Sequence, residues 1–211
     1  MLPAIILFAK APVAGRVKTR LEPRLGPVAT VELHDAFVRD GLAMLLPLAG
    51  VAGIELHSDI QTDAWRGSPV TRKLQCAGDL GLKLFHALAG ALAEGRPNAC
   101  ILGSDAPTLP QAYVRELLAS SADVALGPSE DGGYYAISCR RVHPEMFLGV
   151  EWSTSRTLRQ TVEAAGNCGL SVELGQSWYD VDEYSDLERL LGSPGLPAHT
   201  SAWAARVFRR D

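Results

Sequence analysis

The chain has 211 residues, 47% hydrophobic and 21% charged, with a formal net charge of −4 at pH 7. This length suits one sizeable core and is short for two ordinary domains, so one domain over 1–211 is expected, its core at about 4–191 and a tail at 192–211. The composition is globular, and the acidic balance argues against a general nucleic-acid or anionic-membrane binder.

Ala4–Ala9 is a continuous apolar run, the pattern of a strand covered on both faces. It has no basic segment ahead of it and meets Lys10 too soon for a signal peptide. The following loop carries Lys10, Arg16, Lys18 and Arg20 with Pro12 and Gly15, and no acid before Glu22. A buried strand releasing a cationic, glycine-containing loop is a common phosphate site of α/β folds. In an acidic chain it points to a small anionic ligand, although Lys and Arg on a loop can also be mere solvation.

Gly26-Pro27 opens a helix expected to reach Leu46, and Val51–His57 reads as a strand. Residues 59–69 are irregular, and Thr71–Cys76 is a short strand. Leu80–Glu94 has Leu84, Leu88 and Leu92 on one helical face, closed by Gly95. Then come a strand at Ala99–Gly103, a helix from Pro110 to about Ser120, and strands at Val124–Leu126 and Tyr134–Ser138. Ser153 is placed to cap a helix to about Ala165, followed by a strand at Leu170–Leu174 and a helix between Asp182 and Leu191. In the tail, Trp203 and Val207 share a helical face that suits the core or a second copy of the chain, a homodimer. Strand–helix alternation predicts an α/β fold with a mostly parallel sheet between helical layers.

No apolar run approaches the ~20 residues of a membrane span. Cys76, Cys100, Cys139 and Cys168 show no zinc or redox spacing, so reduced thiols and a cytoplasmic location are expected. The five histidines show no ligand spacing and are assigned no chemistry.

Ligands of such sheets sit outside the carboxyl ends of the strands, where acidic segments lie. Asp105 follows a buried strand, Asp131 precedes Gly132-Gly133, and Asp180, Asp182 and Asp186 follow Tyr179. Carboxylates at strand ends suit Mg²⁺ or Mn²⁺, completed by water and substrate phosphate. Each has a structural alternative: Asp105 as a turn or cap before Pro110, Asp182 as the cap of the last helix, Trp152-Ser153 as packing before a cap.

The ordered series Phe8-Ala-Lys-Ala-Pro…Gly-Arg-Val-Lys-Thr-Arg-Leu21, Gly78-Asp-Leu-Gly81, Gly103-Ser-Asp-Ala-Pro-Thr-Leu109, Glu130-Asp-Gly-Gly-Tyr-Tyr135, Trp152-Ser-Thr154 and Asp180-Val-Asp182…Asp186-Leu187 closely resembles a bacterial glycosyltransferase-like family. That family belongs to the nucleotide-diphospho-sugar transferases with the glycosyltransferase-A (GT-A) fold. A looser likeness links the chain to small guanylyltransferases that make molybdenum-cofactor dinucleotide or activate phospholactate. The resemblance implies a Rossmann-like three-layer α/β/α fold. It implies nucleotide binding by Lys10, Gly15, Arg16, Lys18, Arg20 and Asp79, with the metal at Asp105 and Asp182. Asp105 and Asp131 are the expected catalytic carboxylates, and Gly132, Gly133, Tyr134 and Trp152 the expected substrate contacts. The leading expectation is glycosyl transfer from a nucleotide sugar to a small-molecule acceptor, with Asp131 as base. The alternatives are nucleotidyl transfer from an NTP to a small phosphorylated substrate, and nucleotide binding without catalysis.

Overall fold

A computed structural model describes residues 1–208. Seven strands form one sheet in the order β3-β2-β1-β4-β6-β5-β7. They are β1 (Ala4–Ala9), β2 (Gly53–Ser58), β3 (Thr71–Leu74), β4 (Ala99–Gly103), β5 (Val124–Pro128), β6 (Tyr134–Cys139) and β7 (Val172–Leu174). All neighbours pair in parallel except β6, which runs antiparallel to both β4 and β5. The helices are α1 (Glu22–Leu25), α2 (Pro27–Leu45), α3 (Leu80–Ala93), α4 (Gln111–Ala119), α5 (Thr157–Asn167), α6 (Tyr184–Leu191) and α7 (Ala198–Phe208).

The alternation of side chains along a strand builds two cores on opposite faces of the sheet. From β1, Ile5, Leu7 and Ala9 enter one cluster with Val38 and Leu42 of α2 and Val114 and Leu117 of α4. Ala4, Ile6 and Phe8 enter the other with Leu84 and Leu88 of α3 and Ala165 of α5. Each fully buried Ile or Leu contributes about 1.5–3 kcal/mol, so the central strands are fixed on both faces. This is the expected three-layer GT-A-like architecture.

Helix α7 closes a third cluster, in which Trp203 packs with Leu33 and Phe37 of α2 and Leu187 and Leu190 of α6. Asp40 of α2 accepts hydrogen bonds from His199 N (2.9 Å), Thr200 N (2.8 Å) and Thr200 Oγ1 (2.7 Å), pinning the start of α7. The apolar face of the tail is therefore covered by its own chain. Among the described residues all four cysteines are free, and no helix is long and apolar enough to cross a membrane.

Two helix starts differ from the sequence reading. Ser153 does not cap α5: it sits in the left-handed region (φ 60°), and the helix begins at Thr157. Asp182 does not cap α6. Glu183 takes that position in a reciprocal capping box with Asp186, which leaves the Asp182 carboxylate to face elsewhere.

Candidate active site

β1 and β4 lie side by side; the chain leaves β1 through α2 for β2 on one side, and leaves β4 through α4 for β5 on the other. This reversal point opens a crevice beyond the carboxyl ends of both strands, the usual ligand position of such sheets. Here the cleft has a volume of about 630 Å³. Its walls carry the cations Lys10, Arg16, Lys18, Arg20 and Lys83 and the carboxylates Asp59, Asp105 and Asp182. Positive charge exceeds negative, which suits an anion richer in charge than one carboxylate.

The basic loop is tied down from below. Asp59, just past β2, accepts from Ala11 N (2.7 Å) and from the Arg16 guanidinium (2.8 Å). Nε2 of His34 on α2 pairs with the Lys10 carbonyl at 2.8 Å. Gly15 takes φ 73°, a turn that a side chain would oppose. With the backbone so held, Lys10 and Arg20 have, among the described residues, only long polar contacts, 3.4 Å to the Arg16 carbonyl and 3.9 Å to Glu183. Their charge remains available to a ligand.

Lys18 behaves differently from the other cations. Its side chain is only 3% exposed. The ammonium lies 2.5 Å from Asp105 Oδ1 and 3.3 Å from Asp182 Oδ1, and donates to the Val181 carbonyl at 2.6 Å. Its backbone is left-handed (φ 47°), a rare state for lysine that concentrates at functional sites. Burial pushes the Lys18 pKa down, but the charges of Asp105 and Asp182 outweigh this and hold it above the ordinary lysine value. Burial likewise opposes charge on Asp105, and the Lys18 ammonium outweighs it and holds that carboxyl below its usual range.

A second acid lies behind this pair. Asp180 accepts from Ser129 Oγ at 2.8 Å, and its pKa is raised to about 7 by burial and then by the charges of Asp105, Asp131 and Asp182. Asp180 thus feels the negative charge of three neighbouring carboxylates, which a hard divalent cation would offset. The donor set fits Mg²⁺ or Mn²⁺, which take one or two carboxylates and complete their shells with phosphate and water. Among the described residues the set of three convergent ligand atoms is elsewhere, at the surface residues His143, Glu145 and Cys168.

The remaining expected residues are placed less directly. Asp79 caps α3 by accepting from Leu82 N at 2.8 Å; its neighbours Leu80 and Lys83, rather than Asp79, line the cleft. Asp131 is exposed on the β5–β6 loop and accepts from Gly133 N at 2.9 Å. Gly132 takes φ 90°, and a Cβ there would lie 2.3 Å from the Ser155 carbonyl oxygen. The Gly132 carbonyl also accepts from Leu158 N (2.9 Å), so this glycine seats the 153–156 turn and with it Trp152. Trp152 lines the cleft, and Tyr134 stands behind it, edge-on at 6.4 Å. Asp59, His34, Gln75, Lys83 and Ser104 join the cleft without having been singled out from the sequence. An acid directly after β2 was the one available signal, for Asp59.

The family described as "Uncharacterized protein conserved in bacteria (DUF2064)" matches residues 50–154. A 2-phospho-L-lactate guanylyltransferase of Halobacterium salinarum is 31% identical over 159 residues, 72% of each chain. That of Methanosarcina acetivorans is 26% identical over 199 residues, 92% of this chain and 91% of the relative. A crystal structure from Desulfovibrio desulfuricans G20, described as a nucleotide-diphospho-sugar transferase, superposes with TM-score 0.86 at 29% identity, covering 100% of this chain and 98% of that one. CMP:2-keto-3-deoxy-manno-octonic acid synthetase shares the fold alone, with TM-score 0.58 at 13% identity over 90% of this chain and 96% of that one. The chain thus belongs to the DUF2064 family and shares its descent with the 2-phospho-L-lactate guanylyltransferases.

Proposed function

We propose that the protein is a nucleotidyltransferase, moving a nucleoside monophosphate from an NTP to a small phosphorylated acceptor. The observation that carries this reading is the cleft itself, where a rigidly anchored cationic loop faces Asp105 and Asp182 across one cavity. The guanylyltransferase relatives support nucleotidyl over glycosyl transfer as its chemistry.

In this reading Lys10, Arg16, Arg20 and Lys83 hold the triphosphate, and Gly15 gives the loop its turn. Asp105 and Asp182 would hold Mg²⁺ or Mn²⁺, whose charge when bound would offset that of the phosphates. An acceptor phosphate oxygen attacks the α-phosphorus and forms the new P–O bond. The bond from the α-phosphorus to the bridging oxygen breaks, and pyrophosphate leaves with the electron pair. The fixed cations stabilise that developing charge without reorganising. An ionised acceptor phosphate has no proton to surrender, so this chemistry does not need Asp131 as a base. Asp131, Gly132, Gly133, Tyr134 and Trp152 then form the acceptor side.

Glycosyl transfer remains the second reading, supported by the 29% identical structure and its description. There Asp131 would take the proton of an acceptor hydroxyl. Incubation with Mg²⁺ and a panel of phosphorylated hydroxy acids, with GTP, CTP or UTP in one series and nucleotide-diphospho-sugars in the other, separates the two. Acceptor-dependent pyrophosphate release supports nucleotidyl transfer. Turnover only of a nucleotide sugar, with release of a nucleoside diphosphate, overturns it.

A further inference from the structure

The Asp105–Asp182 pair already holds a cation of the chain's own. Lys18 reaches both carboxylates and the Val181 carbonyl, with almost no exposure of its side chain. Mg²⁺ requires its oxygen ligands at about 2.0–2.1 Å. An ammonium 2.5 Å from Asp105 Oδ1 uses the same oxygen and stands where that ion would be approached. A monovalent and a divalent cation crowded onto one carboxylate oxygen, the lysine with its side chain only 3% exposed, repel each other. Both do not occupy the pair at once.

Removing Lys18 with nothing in its place is also unfavourable. Asp105 and Asp182 would then lose their nearest cation and face each other and the charge of nearby Asp180, with only the more distant Lys10 and His34 to offset Asp105. The lysine therefore leaves only as another cation arrives, and it needs somewhere to go. Its strained backbone sits inside the anchored basic loop, whose neighbours Arg16, Thr19 and Arg20 line the same cavity. A phosphate group entering there offers the ammonium a new anionic partner within the swing of a four-carbon stem.

We propose that Lys18 is the resident counter-ion of Asp105 and Asp182 and exchanges with a divalent cation, moving from the carboxylates to the incoming phosphates. The inference rests on the nucleotide-site reading above, but its first consequence concerns the metal alone. Lys18 competes with free metal, so the protein binds divalent cations weakly until a polyphosphate accepts the lysine. Metal and polyphosphate binding are thereby made mutually dependent.

Mn²⁺ titration followed by electron paramagnetic resonance, with no nucleotide present, tests the exchange. Lys18→Met is expected to bind Mn²⁺ at least tenfold more tightly than wild type, and the gain should vanish in Lys18→Met/Asp105→Asn. Equal Mn²⁺ affinity of wild type and Lys18→Met overturns the proposal. Should Lys18→Met fail to fold, the wild-type protein gives the answer through the Lys18 ammonium ¹⁵N resonance. That signal should shift on adding Mg²⁺ with inorganic pyrophosphate, and an unmoved signal at saturation equally overturns the exchange. Failure of the nucleotidyl reading would show instead as absent turnover of every NTP, with the Mn²⁺ result intact.

Discussion

Asp59 and Arg16, 43 positions apart in the chain, form a 2.8 Å ion pair that fastens the basic loop to the end of β2. The Asp59 carboxylate is 8% exposed and holds Ala11 N with its other oxygen. Hydrogen bonds to a charged group contribute about 1.5–3 kcal/mol each. Asp59→Ala should therefore loosen the loop and weaken NTP binding by about tenfold or more. The loss should appear mainly in KM for the nucleotide. An unchanged nucleotide affinity by calorimetry would show that the loop is rigid without Asp59.

Gly132 should be intolerant of even one methyl group. Its φ of 90° and the 2.3 Å approach of a Cβ to the Ser155 carbonyl leave no room without moving backbone. The strain and overpacking together are expected to cost about 2 kcal/mol or more. The part that moves is the turn behind Trp152, so Gly132→Ala should raise KM for the acceptor far more than for the nucleotide. Urea unfolding and two-substrate kinetics check both halves. Wild-type stability in the variant would mean that the turn yields freely.

The elements that bury apolar runs on both faces could be read from the sequence nearly to their ends. Ala4–Ala9 and Ala99–Gly103 coincide with β1 and β4 because nothing but a covered strand accommodates such runs. Helix starts that depend on capping competition were harder. Both Ser153 and Asp182 looked like caps, but Gly132 holds the Ser153 turn out of the helix, and Glu183 with Asp186 satisfies the amides of α6. That competition is settled by tertiary contacts, which one sequence does not display. The cleft was legible as charge at strand ends. The fastening of its loop by Asp59 and His34, and the seat of Lys18 between two acids, depend on side chains more than twenty residues apart meeting in space.

Asp40 should govern the docking of α7. Its buried carboxylate satisfies two backbone amides and the Thr200 hydroxyl at the start of that helix. Asp40→Ala leaves these donors without partners, at a cost of about 2 kcal/mol. The helix should then detach locally, exposing Trp203, whose indole donates to the Ala29 carbonyl at 2.9 Å. Limited proteolysis near 192–197 and a red shift in fluorescence, lost in an Asp40→Ala/Trp203→Phe variant, would report it. Resistance to protease equal to wild type would place the anchor of α7 in its apolar contacts alone.

Glu55 should give the protein part of its acid sensitivity. Its carboxylate is 2% exposed on β2 and pairs with Lys73 at 3.1 Å and Arg96 at 3.0 Å, with His57 hydrogen-bonded at 2.8 Å. Burial pushes its pKa up, but the hydrogen bonds from His57 and Lys73 and the Lys73 charge outweigh burial and hold it below the ordinary value of 4.5. A carboxyl depressed on folding stabilises above its unfolded pKa, and that stability disappears as pH falls through the folded pKa. At neutral pH, Glu55→Gln takes from half-buried Arg96 one of its two anionic partners, leaving Glu94 at 3.1 Å, and should cost about 2 kcal/mol. At low pH the wild-type carboxyl is itself neutral, so the difference between the two proteins should shrink towards zero. Asp123, whose partners are Ser171 and Arg141, titrates in both proteins and cancels from that difference, whereas Glu94 shares Lys73 and Arg96 with Glu55 and is best replaced by Gln in both proteins. Urea unfolding of both proteins from neutral down to about pH 3 measures it directly. A gap that stays constant across this range would mean that packing around Glu55, rather than its charge, holds β2 to β3.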